Sequence, residues 1–217
     1  AGVLTKVSPS VYTLPITPNA NSTTSMTVDV AAGKFVNAAG NSNVAATQNV
    51  QAVDTMLPTV TLTSSVASVG MGAKARITAT FTKDPIGFEI KDLLSDNGSF
   101  SDFVVDGSNP RIYTASFTPT PGTKATDAGI TVGAGSYKDA AGNMGLAGAK
   151  PALAIDMIAP TVTLSSNVST LKAGQTATIT ATFSEAVTGF AIGNFSSANG
   201  NFSNFMTLKT YSKVYTA

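Results

Sequence analysis

Slid along itself by 102 residues, the sequence meets itself again, and this repeat constrains the fold more than any other feature. Asp54 recurs as Asp156, Pro58 as Pro160, Phe81 as Phe183, Gly87 as Gly189, Phe103 as Phe205 and Tyr113 as Tyr215. Whole phrases survive the shift: Pro58-Thr-Val-Thr-Leu62 matches Pro160-Thr-Val-Thr-Leu164, and Ile77-Thr-Ala-Thr-Phe81 matches Ile179-Thr-Ala-Thr-Phe183. Residues 1–53 match the second half of the same unit, with Val11-Tyr12-Thr13 on Ile112-Tyr113-Thr114 and Ala38-Ala39-Gly40-Asn41 on Ala140-Ala141-Gly142-Asn143. Three segments follow: the back half of one repeat (1–53), one complete repeat (54–155) and the front part of a third (156–217). The period is that of a domain; a solenoid turn has about 20–50 residues.

Within a repeat, the pattern is that of strands. Stretches such as 58–63, 75–81 and 112–117 alternate apolar with polar or small residues, which buries one face of an antiparallel sheet and wets the other. Turn signals separate them: Asn97-Gly98, Asp106-Gly107, Pro121-Gly122 and Ala141-Gly142-Asn143. No stretch carries a helical stripe, so the class is all-β. A domain-sized repeat of seven short strands predicts tandem immunoglobulin-like β-sandwiches, one complete and two partial. The expected strands of the complete repeat are A at 58–64, B at 74–82, C at 86–91, D at 100–105, E at 111–117, F at 128–134 and G at 146–155. The antibody-type cysteines and tryptophan are absent, so Phe81, Phe88, Phe103, Tyr113 and Phe117 are the expected core.

Composition removes most chemistry. The 217 residues include no His, Cys or Trp, which excludes Ser-His-Asp and Cys-His catalysis, thiolate or imidazole zinc sites and disulfides. With 13 Lys+Arg against 12 Asp+Glu, the net charge of +1 gives no electrostatic basis for binding nucleic acid or an anionic membrane. No apolar run approaches the ~18 residues of a membrane helix. The start, Ala1-Gly2-Val3-Leu4-Thr5-Lys6, lacks a signal-peptide layout, so any targeting segment is expected outside these residues. Gly70-Met-Gly72 is no phosphate loop, and Asp92, Asp96 and Asp102 have no base beside them, so a solvated face is expected there. Sequon matches at Asn21, Asn97 and Asn201 are expected by chance in a Ser/Thr-rich chain. The protein is expected not to be an enzyme.

Asp156-Met-Ile-Ala-Pro-Thr-Val-Thr-Leu164, Leu171-Lys-Ala-Gly-Gln-Thr-Ala-Thr-Ile-Thr180, Phe183-Ser-Glu-Ala-Val-Thr-Gly-Phe190 and Tyr137-Lys-Asp-Ala-Ala-Gly-Asn143 resemble the bacterial Ig-like repeats of giant secreted adhesins. The resemblance runs through essentially the whole chain. It implies long tandem arrays at the surface of Gram-negative bacteria, often exported by a type I route, that act in attachment and biofilm formation. It also implies calcium at the junctions between domains.

Without nitrogen or sulfur ligands, only an oxygen site is open to a metal, which suits calcium. In a sandwich of this kind the start of strand A, the B–C loop and the F–G loop share one pole. In the complete repeat that pole gathers Asp54, Asp84, Asp139 and Asn143; in the third it gathers Asp156 and Glu185, with Asp127 facing it from the preceding domain. Ordinary turn chemistry is the competing expectation: Asp139-Ala-Ala-Gly-Asn143 as a tight F–G turn, and Asp54 and Asp156 as caps of the linker. Lys83, which stands where Glu185 stands one repeat later, opposes a cation, and Asn37 replaces the carboxylate of Asp139. The expected function is a structural repeat of an extracellular bacterial adhesin or surface fibre. Its partners are neighbouring repeats or subunits in a head-to-tail fibre and a host or abiotic surface. The alternatives are a filament subunit whose half domains are completed by neighbours, or a glycan- or receptor-binding module.

Overall fold

The structure, a computed structural model, describes residues 2–207 and 214–216. It divides into two units, Ala1–Met157 and Ile158–Ala217. In the first, residues 1–53 carry short hairpin strands β1 (Thr5–Ser8), β2 (Val11–Thr13), β3 (Met26–Val28) and β4 (Asn49–Gln51), paired β1–β2 and β3–β4. The complete repeat follows with β5 (Val60–Ser64), β6 (Ser68–Gly70), β7 (Ala75–Phe81), β8 (Leu93–Leu94), β9 (Gly98–Val105), β10 (Ile112–Pro119), β11 (Lys124–Ala125), β12 (Thr131–Val132) and β13 (Ala154–Asp156). The second unit holds β14 (Val162–Ser166), β15 (Ile179–Phe183), β16 (Met206–Thr207) and β17 (Val214–Thr216) in one sheet of order β14-β15-β17-β16.

The complete repeat is a two-layer sandwich. One layer is the antiparallel sheet β5-β7-β10-β9; the other combines β11-β13-β6 with the pair β12-β8. Alternation decides which side chains face inward. Along β7, Ala75, Ile77, Ala79 and Phe81 are buried while Arg76 and Thr80 are exposed, as period two requires. Val60 and Leu62 of β5 and Ala115 and Phe117 of β10 join them, against Val69, Leu93, Ile130, Val132, Leu153 and Ile155 from the opposite layer. The rings of Phe81, Phe88 and Tyr137 meet edge to face, with centroids 4.8 Å apart for Phe81–Phe88 and for Phe81–Tyr137. Such contacts add about 0.5–1.5 kcal/mol each beyond area burial. Phe81, Phe88 and Phe117 are buried as expected, and Phe103 and Tyr113 pack half-buried at the edge of the same cluster.

The strand expectations hold best where alternation is longest. Strand C at 86–91 is a single bridge from Ile86 to Lys138 followed by a 3-10 turn, Ile90–Asp92. Gly87, at φ +86°, bends the chain there, and the Asp92 carboxylate accepts the Glu89 N–H at 2.8 Å, closing the turn. Strand F narrows to Thr131–Val132. Strand G is regular only at Ala154–Asp156; before it, Ala149 bridges Thr61, and single backbone bonds from Leu146 to the Pro58 carbonyl at 3.0 Å and from Gly148 to the Val132 carbonyl at 2.9 Å hold the segment. β6 and β11 were not expected; they flank β13, β6 in parallel and β11 antiparallel.

Candidate functional site

The pole that the sequence assigns to chemistry is built on a tight turn. The Asp139 N–H donates to the Asn143 carbonyl at 3.1 Å and the Gly142 N–H to the Asp139 carbonyl at 3.0 Å, with Gly142 left-handed at φ +87°. Asp139 Oδ1 accepts the Asn143 N–H at 2.9 Å, and Oδ2 accepts its side-chain amide at 3.0 Å. Residues 37–41 form the same turn with no charge: Asn37 Oδ1 accepts the Asn41 and Ala39 N–H groups, each at 3.0 Å. The turn therefore needs an Asx side chain and nothing more. The negative charge at Asp139 is surplus to it.

That charge faces Lys83. The loop after β7 is pinned beside the turn by the Ile86–Lys138 bridge, which brings the Lys83 ammonium over Asp139. Lys83 Nζ donates to Asp139 Oδ2 at 2.6 Å, to Asp54 Oδ1 and Oδ2 at 2.7 and 2.8 Å, and to the Met56 carbonyl at 2.5 Å. Asn143 Nδ2 donates to the Asp54 carbonyl at 3.0 Å, and the Met56 N–H to Asp54 Oδ1 at 3.1 Å. Among the described residues no buried side-chain nitrogen or oxygen lacks a partner.

The corner is graded in depth: Asp139 is 3% exposed, whereas the side chains of Lys83 and Asp54 are 21% and 34% exposed. Burial pushes the Asp139 carboxyl up, but the hydrogen bonds from Lys83 and Asn143 outweigh it and bring its pKa down to about 2. For Lys83, desolvation pulls downward and the bonds to Asp139 and Asp54 overcome it, so its pKa lies above the ordinary lysine value. The corner is thus an ion pair at neutral pH. Below it, burial pushes the Tyr137 phenol up to about 12. Its hydroxyl is shared between the carbonyls of Leu146, at 3.0 Å, and Pro58, at 3.2 Å.

The linker is also held from its other side. The Thr55 N–H donates to the Ser22 carbonyl at 2.8 Å, Thr55 Oγ1 accepts the Ser22 N–H at 2.9 Å, and Oγ1 donates to the Asn19 carbonyl at 2.7 Å. Residues 54–56 are consequently tied to the preceding half repeat through Thr55 and to the complete repeat through Asp54 and Met56. One repeat later the Met157 N–H donates to the Thr123 carbonyl at 2.8 Å, and Lys124 pairs with Asp156.

Of the seven candidate metal ligands, the structure brings together Asp54, Asp139 and Asn143. Asp84 turns outward to Arg111 at 2.6 Å. Asp127 accepts the Gly129 N–H at 2.7 Å and pairs with Lys150 at 3.1 Å; these bonds hold its carboxyl below the usual carboxylate range. Asp156, on β13, pairs with Lys124 of the neighbouring β11, and Glu185 lies in the second unit. Among the described residues there is no group of three or more His, Cys, Asp or Glu placed to hold a metal ion. Asp92 and Asp102 are structural: Asp92 closes the 3-10 turn, and Asp102, at φ +52°, sits where the β9–β10 register shifts. Sequence reading missed Ser22, Thr55 and the Met56 carbonyl: Ser22 and Met56 act through backbone groups, and the Thr55 hydroxyl is one of many in a Ser/Thr-rich chain.

Compared with known protein families, residues 54–155 and 156–217 each match the family described as bacterial Ig-like domain. No curated protein and no solved structure matches the chain.

Proposed function

Because this chain belongs to the family of bacterial Ig-like domains, we propose that it is a structural repeat segment of an extracellular bacterial adhesin or surface fibre, supplying length and stiffness for attachment and biofilm formation. Domains of this family are surface or adhesin-type structural modules, and their all-β fold is typical of non-enzymatic domains. No helix among the described residues is long and apolar enough to cross a membrane. The observation that carries the proposal is the doubly tied linker: Thr55 is bonded to Ser22 behind it and Asp54 to Lys83 ahead of it. Such a tie restricts rotation between successive repeats, which a load-bearing or spacing element needs and a catalyst does not. Small-angle scattering of the chain and of an Asp54→Ala/Thr55→Val variant tests this. The variant should show a broader distribution of interatomic distances while the sandwich of the complete repeat keeps its melting transition. Identical scattering from the two would refute it.

A further inference from the structure

The carboxylates that this corner offers to calcium are already committed to a nitrogen. Calcium takes 6–8 oxygens at about 2.3–2.6 Å. Around Lys83 Nζ four oxygens stand at 2.5–2.8 Å, near the spacing of charge-assisted N–H···O bonds. Two come from the linker carboxylate, one from the buried carboxylate and one from a backbone carbonyl, the donor types a calcium loop uses. Asp139 spends its other oxygen on the Asn143 N–H, and Asn143 spends its amide on Asp54 and Asp139, so the groups behind these oxygens are also committed. A divalent ion placed among these oxygens would have to displace the ammonium, or sit against it at the distance where like charges repel most strongly.

We infer that the ammonium of Lys83 is the resident cation of this junction, drawing the linker carboxylate of Asp54 onto the buried carboxylate of Asp139, and that the corner closes without a divalent metal. A covalently tethered cation cannot be chelated or diluted. The docking of the linker on the complete repeat therefore holds at any calcium level, in contrast to the calcium-filled junction that the sequence resemblance implies. This applies to the corner whether or not the chain serves in attachment.

The test is residue-resolved NMR of the full chain, following the amides of Met56, Asp139 and Asn143 while calcium is added and then removed with a chelator. In the wild type these amides stay where they are. Lys83→Gln removes the charge and keeps much of the reach, leaving two carboxylates and a carbonyl facing an uncharged group. Its three amides should shift on addition of calcium and saturate, with a Kd of about 10⁻⁴–10⁻³ M, the range of weak calcium modules. Adding Asp139→Asn to that variant should abolish the response. Lys83→Arg, which retains a positive charge, should stay silent like the wild type. Saturable calcium shifts at these amides in the wild type or in Lys83→Arg would overturn the inference. So would a folded Lys83→Gln protein that ignores calcium, and should that variant fail to fold, the wild-type and Lys83→Arg titrations still decide.

Discussion

Replacing Asp139 with Asn separates the charge at the junction from the turn beneath it. Asn keeps an Oδ1 that can accept the Asn143 N–H, as Asn37 does for Asn41, so the turn itself should survive. What disappears is the buried anion that faces Lys83. Folding lowers the Asp139 pKa from 3.8 to about 2; at about 1.4 kcal/mol per unit this corresponds to roughly 2 kcal/mol of stability. The sign follows from the depressed value. Above the unfolded pKa, near pH 4, the contribution is fully present; it is lost as pH falls through the folded value, near 2. At pH 7 the Asp139→Asn variant should therefore be less stable by about 2 kcal/mol, and the difference should shrink as both proteins are titrated from about pH 4 to pH 2. Urea unfolding at several pH values, followed by the near-ultraviolet circular dichroism of buried Tyr137, measures this directly. The difference between variant and wild type matters more than either curve, because Asp102, Asp106 and Asp127 are also shifted downward by their hydrogen bonds and cancel in the subtraction. A variant as stable as the wild type at pH 7 would refute the reasoning, as would a stability gap that persists unchanged at pH 2.

Phe81→Ala should destabilise the complete repeat by about 3–5 kcal/mol, since the ring is buried and contacts Phe88, Tyr113 and Tyr137; thermal or urea unfolding reads the loss. Gly145→Ala should cost about 1–3 kcal/mol, because a Cβ there would lie 2.2–2.5 Å from ring atoms of Tyr137, which is buried and has no room to retreat. Asp84→Ala breaks only the exposed pair with Arg111 and should change stability by less than about 1 kcal/mol, with a melting point near that of the wild type.

How much of this was legible from sequence depends on the signal. Period-two alternation in 75–81 is long and regular, and β7 with its partners β5 and β10 lies where that pattern puts them. The aromatic core was legible for the same reason, although Tyr137 was missed: it lies outside any alternating run, in the approach to the F–G turn. The loop at 86–92 defeats alternation because its conformation is set by one glycine and one carboxylate-to-backbone bond. Asp92 capping Glu89 looks, in sequence, like any surface aspartate. At the site, the repeat placed Asp54, Asp139 and Asn143 on one pole, and the structure brings them together. It also placed Asp84 there, but Arg111 competes for that carboxylate from the end of the neighbouring strand. Such competition depends on which cation lies closest in three dimensions, and sequence alone does not rank those distances.

The repeat lets the fold and the junction be separated as if by internal mutagenesis. Backbone devices recur at the 102-residue spacing despite changes of side chain. The left-handed residue is Asp102 in one repeat and Asn204 in the next, at φ +52° and +56°. The 3-10 turn is closed by Asp92 in one and by Asn194 in the other, at 2.8 and 2.7 Å. The linker N–H is held by Ser22 at Thr55 and by Thr123 at Met157. In the first two cases the substitution keeps a side-chain oxygen and discards the charge; in the third the backbone bond survives although the Thr55 hydroxyl is lost at Met157. The B–C corner behaves differently: Lys83 becomes Glu185, a reversal of charge that no shared hydrogen-bonding role explains. Asn37 shows that the adjoining turn needs neither sign. The two repeats thus share one backbone frame while the charge at its corner is free to be set repeat by repeat, and in the complete repeat it is set to meet the linker carboxylate that arrives there.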